Sequence, residues 1–144
     1  MEDQERFMRE ALKEAELSKE KGEVPIGAVI VCGGKIVGRG HNMTQDLQDP
    51  TAHAEMVAIT SACAALNSRY LQNCTLYVTV EPCPMCAAAM AWAQVSGLVY
   101  GAKDPKRGYS MFSPCLLHPK TKVVAGVLEA ECSAIVSDFF NKLR

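Results

Sequence analysis

Residues 74–90 read CTLYVTVEPCPMCAAAM. The first seven form a β-branched and aromatic run, the mark of a strand, which passes through Glu81, Pro82 and Cys83 straight into a helical stretch over about 84–94. GLVYGA at 97–102 is the next strand-like run. Strand, helix and strand with links this short predict a crossover unit with parallel strands, right-handed by the usual rule, and so an α/β protein.

On the N-terminal side, Met8, Ala11, Leu12 and Ala15 recur at helical spacing between Gln4 and Lys21, and Gly22 supplies a stop. Two β-rich runs follow, Ile26–Val31 and Lys35–Gly40, joined through Gly33-Gly34 as a hairpin. The polar loop MTQDLQDPT leads to Thr51, which is placed to cap a helix over about Ala52–Leu66. On the C-terminal side, a strand is expected near Val123–Val127 and a closing helix from about Glu129. The order α-ββ-α-β-α-β-α-β-α implies a three-layer α/β/α architecture around a mixed five-stranded sheet, one domain spanning 1–144. The helix at 84–94 is apolar on every side, so it needs cover all round and points to a subunit interface.

At 144 residues the chain can bury about two thirds of its unfolded surface, so a core without disulfide staples is sufficient. With 49% hydrophobic and 22% charged residues it has a globular profile, which excludes a disordered chain. No stretch reaches the ~18 apolar residues of a membrane span. The amphipathic start lacks a signal core, so a cytoplasmic protein is expected. Seven cysteines, an odd number, argue against a disulfide framework and favour metal binding or reactive thiols. Cys32, Cys63, Cys74, Cys115 and Cys132 stand singly among apolar residues and read as small core hydrophobes. Residues 1–102 carry a net charge of −4 and residues 103–144 of +3, so the C-terminal third can meet phosphates or simply be a solvated mixed surface.

The chemistry lies in His53, Glu55, Cys83 and Cys86. A catalytic zinc takes three imidazole or thiolate ligands and keeps a fourth position for water. Cys83 and Cys86 stand three apart at a helix start, where the positive dipole end favours thiolates, and His53 sits at the start of the other helix. Two thiolates balance the dication, and zinc lowers the pKa of its bound water to about 7. Glu55 is the candidate proton carrier. Its spacing from His53 would point it to the far side of an ideal helix, so His53 is expected at the cap or in an irregular turn. Pro82 and Pro84 fix the strand-to-helix corner while the cysteines keep their N–H groups. A redox CxxC would need no upstream HxE, and a closed structural site would need a fourth ligand, for which His41, His118 and Cys115 have no paired spacing.

HxE followed by PCxxC, with GHN, DPTAHAEM, VYGAKDPK and GVLEAECSAIVSDFF, resembles the cytidine deaminase superfamily, and within it the bacterial tRNA adenosine deaminases. The resemblance implies His53, Cys83 and Cys86 as ligands of one Zn2+ per chain and Glu55 as the catalytic proton shuttle. It also implies that Asn42 and the N–H of Ala54 hold the base, that Asp104 and Lys106 line the cleft, and that the chain is a homodimer. The implied substrate is a tRNA anticodon loop, with adenosine converted to inosine; a free nucleobase, guanine or cytosine, is the alternative. Within YSMFSPCLLHPKTK the sequence departs from the family pattern. Tyr109 and Phe112 there read equally as base-stacking or core residues, and His118 and Arg107 as RNA-facing or plain surface.

Overall fold

The computed structural model describes residues 2–143. Helix α1 (Glu2–Glu20) precedes a hairpin of β1 (Gly27–Cys32) and β2 (Lys35–His41), and α2 (Ala54–Leu66) follows. Strand β3 (Cys74–Val80), helix α3 (Pro84–Ala93) and strand β4 (Gly97–Ala102) form the predicted crossover unit. The chain continues through a 3₁₀ turn at Tyr109–Met111 to β5 (Lys122–Ala125) and α4 (Glu129–Lys142).

The sheet order is β2-β1-β3-β4-β5. β1 runs antiparallel to β2 and β3, whereas β3, β4 and β5 run parallel, so the sheet is mixed as expected. Side chains alternate across β3. Leu76 and Val78 pack with Ala58 and Ala62 of α2 and Ala87 and Met90 of α3, while Tyr77 faces Phe7, Met8 and Ala11 of α1 and Cys132 of α4. These two cores on opposite faces give the three layers. Among the described residues no helix is long and apolar enough to cross a membrane.

Helix α2 lies directly on β2 because Gly38 and Gly40 have no side chain. A Cβ on Gly40 would sit 2.4 Å from the Ala54 carbonyl oxygen, and one on Gly38 would sit 2.6 Å from that of Ala58. The first turn of α2, which carries Glu55, is thereby set on the strand without a spacer.

Four expectations are corrected. Thr51 is not a helix cap: its N–H and hydroxyl both donate to Asp49 Oδ1 (2.9 and 2.7 Å), and α2 begins at Ala54 with His53 as N-cap. The helix expected between β4 and β5 is reduced to the 3₁₀ turn, since Pro114 and Pro119 interrupt the segment. β5 ends at Ala125, where Gly126 takes φ +85° and its N–H turns to the Tyr100 carbonyl. Cys115 is exposed, whereas Cys74 and Cys132 are buried as expected. Helix α3 buries Cys86, Ala87, Met90 and Ala93, but the chain itself leaves Trp92 on the opposite face 84% exposed.

Candidate metal centre

Helices α2 and α3 both start beside the same corner of the sheet. His53 caps α2 with φ −73° and ψ 156°, and Cys83 caps α3 with φ −73° and ψ 169°. Neither side chain makes a capping hydrogen bond. The extended backbone at His53 also answers the spacing difficulty, because the helical angle between positions i and i+2 does not apply across a cap. Cys86, one turn into α3, completes the group.

The His53 Nδ1 atom lies 3.6 Å from Cys83 Sγ and 3.6 Å from Cys86 Sγ. The three donor atoms all fall within 4.8 Å of one another. Bonds of about 2.0–2.1 Å to nitrogen and 2.3 Å to sulfur at a tetrahedral angle separate the two donors by about 3.6 Å, so the spacing suits zinc. The donor set of one imidazole and two thiols suits it as well.

Electrostatics within the group follow from burial and from the thiol pair. Cys83 is pulled down to about 4, chiefly by the hydrogen bond from Cys86 and then by His53, against the cost of burial. The same bond raises Cys86, which burial raises further. His53 is raised, first by its hydrogen bond to Cys83. Glu55 is 4% exposed, and burial pushes its carboxyl up to about 7. The neighbouring Cys83 raises it further, while its own main-chain N–H, His53 and Cys86 oppose the shift. A buried acid that holds its proton near neutrality stands against the three candidate ligands. This is the arrangement expected of a group that takes up and returns a proton.

The other sequence candidates lie on α2 or on loops tied to the segments that enter α2 and α3. Ala54 is fully buried at the first position of α2, where a main-chain N–H has no helical acceptor. Asn42 is fixed through its main chain: its N–H donates to the Ile26 carbonyl (3.1 Å), and its carbonyl accepts from Ser18 Oγ (2.9 Å). Met43 N–H donates to the Ala52 carbonyl (2.9 Å), which lays the chain just after Asn42 alongside the segment entering α2. Asp104 shapes its own turn, with Oδ1 accepting from the N–H groups of Lys106 (3.1 Å) and Arg107 (3.0 Å). Lys106 is exposed. Tyr109 is buried edge-on against Tyr100, and Phe112 is 49% exposed, so the two aromatics divide between the two readings.

Two residues were missed from sequence. Glu81, 4% exposed at the end of β3, accepts from Asp104 N–H (3.1 Å), Ser110 N–H (3.0 Å) and Ser110 Oγ (2.6 Å). With the bond from Tyr109 N–H to the Pro82 carbonyl (2.9 Å), it holds loop 103–110 onto the cysteine corner. Glu23, 2% exposed, does the same for the loop after Asn42, accepting from Thr44 Oγ1 (3.2 Å), Gln45 N–H (3.1 Å) and Asp46 N–H (3.0 Å). The available signal was an acid abutting an apolar run. Glu81→Ala strands three donors and should cost about 3 kcal/mol in urea unfolding, with faster hydrogen exchange at the Asp104 and Ser110 amides.

Comparison with known proteins places these features in a group. The sequence model of the cytidine and deoxycytidylate deaminase zinc-binding region matches residues 1–102. A tRNA-specific adenosine deaminase of Bacillus subtilis is 50% identical over 143 residues, covering 96% of this chain and 89% of the relative. A solved structure from work on A-to-I editing by tRNA:A34 deaminases at the wobble position of transfer RNA superposes with a TM-score of 0.85. It is 44% identical, over 90% of this chain and 98% of the other. A guanine deaminase of Bacillus subtilis is 42% identical over 69% of this chain and 64% of its own, with a TM-score of 0.66.

Proposed function

The chain belongs to the cytidine and deoxycytidylate deaminase zinc-binding family, and we propose that it converts adenosine to inosine, with release of ammonia, at the wobble position of a tRNA anticodon. The observation that carries this reading is the group His53, Cys83 and Cys86 with the buried Glu55 carboxyl beside it. The tRNA-specific relatives at full length direct it to adenosine in tRNA.

His53 Nδ1 and the two sulfurs would hold one Zn2+ per chain, which supplies a Lewis acid that makes water a nucleophile near neutral pH. Glu55 takes the proton from the attacking water at a carboxylate oxygen and gives it to the purine ring nitrogen. A second transfer through the same carboxylate lets the C6 amine leave as ammonia. The Ala54 N–H and the Asn42 carboxamide orient the base, and Asp104 and Lys106 line the mouth of the cleft. An anticodon loop presents unpaired bases, so little unstacking energy is needed to bring the target into the pocket. This substrate class favours a cytoplasmic location.

The likeness to a guanine deaminase favours a second reading, deamination of a free base by the same metal corner. Ammonia release separates the two. A tRNA bearing adenosine at the wobble position should be turned over, and free guanine, cytosine and adenine should not; turnover of a free base alone would reverse the assignment.

The exposed face of α3 supports a homodimer. Trp92 stands 84% exposed near half-buried Met85, Ala88 and Ala89 on a helix with no charged residue, which is the composition of an interface core and not of a solvated face. Trp92→Glu should convert the dimer to monomer in sedimentation velocity at micromolar concentration while far-UV circular dichroism stays unchanged.

A further inference from the structure

At the end of the sheet away from the metal corner, Cys32 closes β1, Cys74 opens β3, and the two are partners in the antiparallel register. The hairpin decides what kind of pair they are. Gly33 (φ +59°) and Gly34 (φ +78°) make a two-residue turn with both residues left-handed, closed by Cys32 and Lys35. The closing pair of such a turn is hydrogen-bonded, so the N–H and carbonyl of Cys32 both point towards β2. On its other side Cys32 therefore meets Cys74 as a non-hydrogen-bonded pair, in which Cα atoms lie about 4.5 Å apart and side chains come closest. Cys74 agrees: its N–H donates to the Leu71 carbonyl (3.1 Å), and its carbonyl accepts from Ser96 N–H (3.0 Å). In the reduced protein the Cys74 thiol donates to the Gln72 carbonyl (3.7 Å), two residues before it, so it stays beside the strand end that faces Cys32. Disulfides span Cα distances of 4.4–6.8 Å, a range that includes this kind of pair.

We propose that Cys32 and Cys74 form a reversible disulfide when the protein meets hydrogen peroxide. Partly buried Cys32 is the entry point; fully buried Cys74, pushed up to about 12 by burial and by its neighbour, reacts second. The Cys32 sulfur attacks the peroxide, an S–O bond forms as the O–O bond breaks, and one water leaves. The Cys74 sulfur then attacks the sulfenic acid, an S–S bond forms as the S–O bond breaks, and the Cys74 thiol proton departs with the hydroxyl as a second water. Two thiols give up two electrons, and the peroxide takes them. Roughly 20 Å of β3 separates this pair from the metal corner, so the modification is a site of its own. It does not depend on which base is deaminated.

The test uses zinc-loaded protein, in which Cys83 and Cys86 are engaged, treated with one equivalent of hydrogen peroxide, alkylated and mapped by peptide mass without reduction. The expected result is a Cys32–Cys74 linked peptide, two fewer alkylatable thiols, return of both with dithiothreitol, and a Tm higher by about 10 °C. Cys63→Ser should leave the link intact and Cys32→Ser should abolish it. Oxidation of Cys32 to sulfinic acid with Cys74 still a free thiol would overturn the proposal, as would a link that runs through Cys63.

Discussion

Glu55→Gln is expected to lower deamination by about 10³-fold while the zinc content stays at one per chain. The amide keeps the size of the carboxyl but cannot accept a proton from water, so binding and chemistry separate. Single-turnover rates and metal analysis on the same sample check both halves, and activity within tenfold of the parent would remove the proton-shuttle role. The same substitution has an opposite effect on the metal-free fold. Burial lifts the Glu55 carboxyl from its ordinary 4.5 to about 7, so the folded chain holds this proton to higher pH than the unfolded chain does. The sign follows: stability associated with this group is complete below about 4.5 and falls as pH rises through 7, by about 3 kcal/mol in all. Chelated Glu55→Gln should therefore outlast chelated parent protein in urea at pH 8 and match it at pH 4.5.

Cys86→Ala is expected to abolish measurable deamination and to remove the stabilisation that zinc gives. Cys86 is fully buried and lies 3.6 Å from His53 Nδ1, so its loss leaves only two of the three candidate ligands, too few to hold the ion against water. Metal affinity is linked to folding where a site joins elements that the unfolded chain does not bring together. With free zinc at 1,000 times its dissociation constant, the parent gains about 4 kcal/mol, a Tm shift of about 10 °C. The variant should show no zinc-dependent shift in a thermal melt, and the parent should lose its own on chelation. A zinc-dependent shift in the variant equal to the parent's would take Cys86 out of the ligand set.

Local signals carried much of this architecture. Cys74–Val80 and Gly97–Ala102 match the observed strands residue for residue, because each is a short apolar run bounded by residues that cannot extend it. The candidate metal group was legible for a similar reason: HxE and PCxxC pack their chemistry into short spacings, and the structure brings His53, Cys83 and Cys86 within 4.8 Å of one another with His53 as the cap. What escaped depends on which partner a group finds, near or far. Thr51 has the chemistry of a cap, yet Asp49 two residues earlier takes both its donors. Glu81 and Glu23 are defined by loops more than twenty residues downstream, and no pattern in their own neighbourhood names those partners. Cys115 looked like its fellow core thiols because exposure in an irregular, proline-broken segment leaves no periodic trace.

The seating of α2 on Gly38 and Gly40 and the two carboxylate tethers divide the labour of the molecule. The proposed reaction centre is built on helix ends bolted to a sheet, whereas the loops proposed to meet the substrate are held by a buried carboxylate, Glu23 or Glu81, and a few main-chain bonds. A lineage could thus exchange one amino-bearing base for another by rewriting what lies between an anchor and the next element, leaving the reaction centre untouched. The same division recommends those two spans for directed diversification.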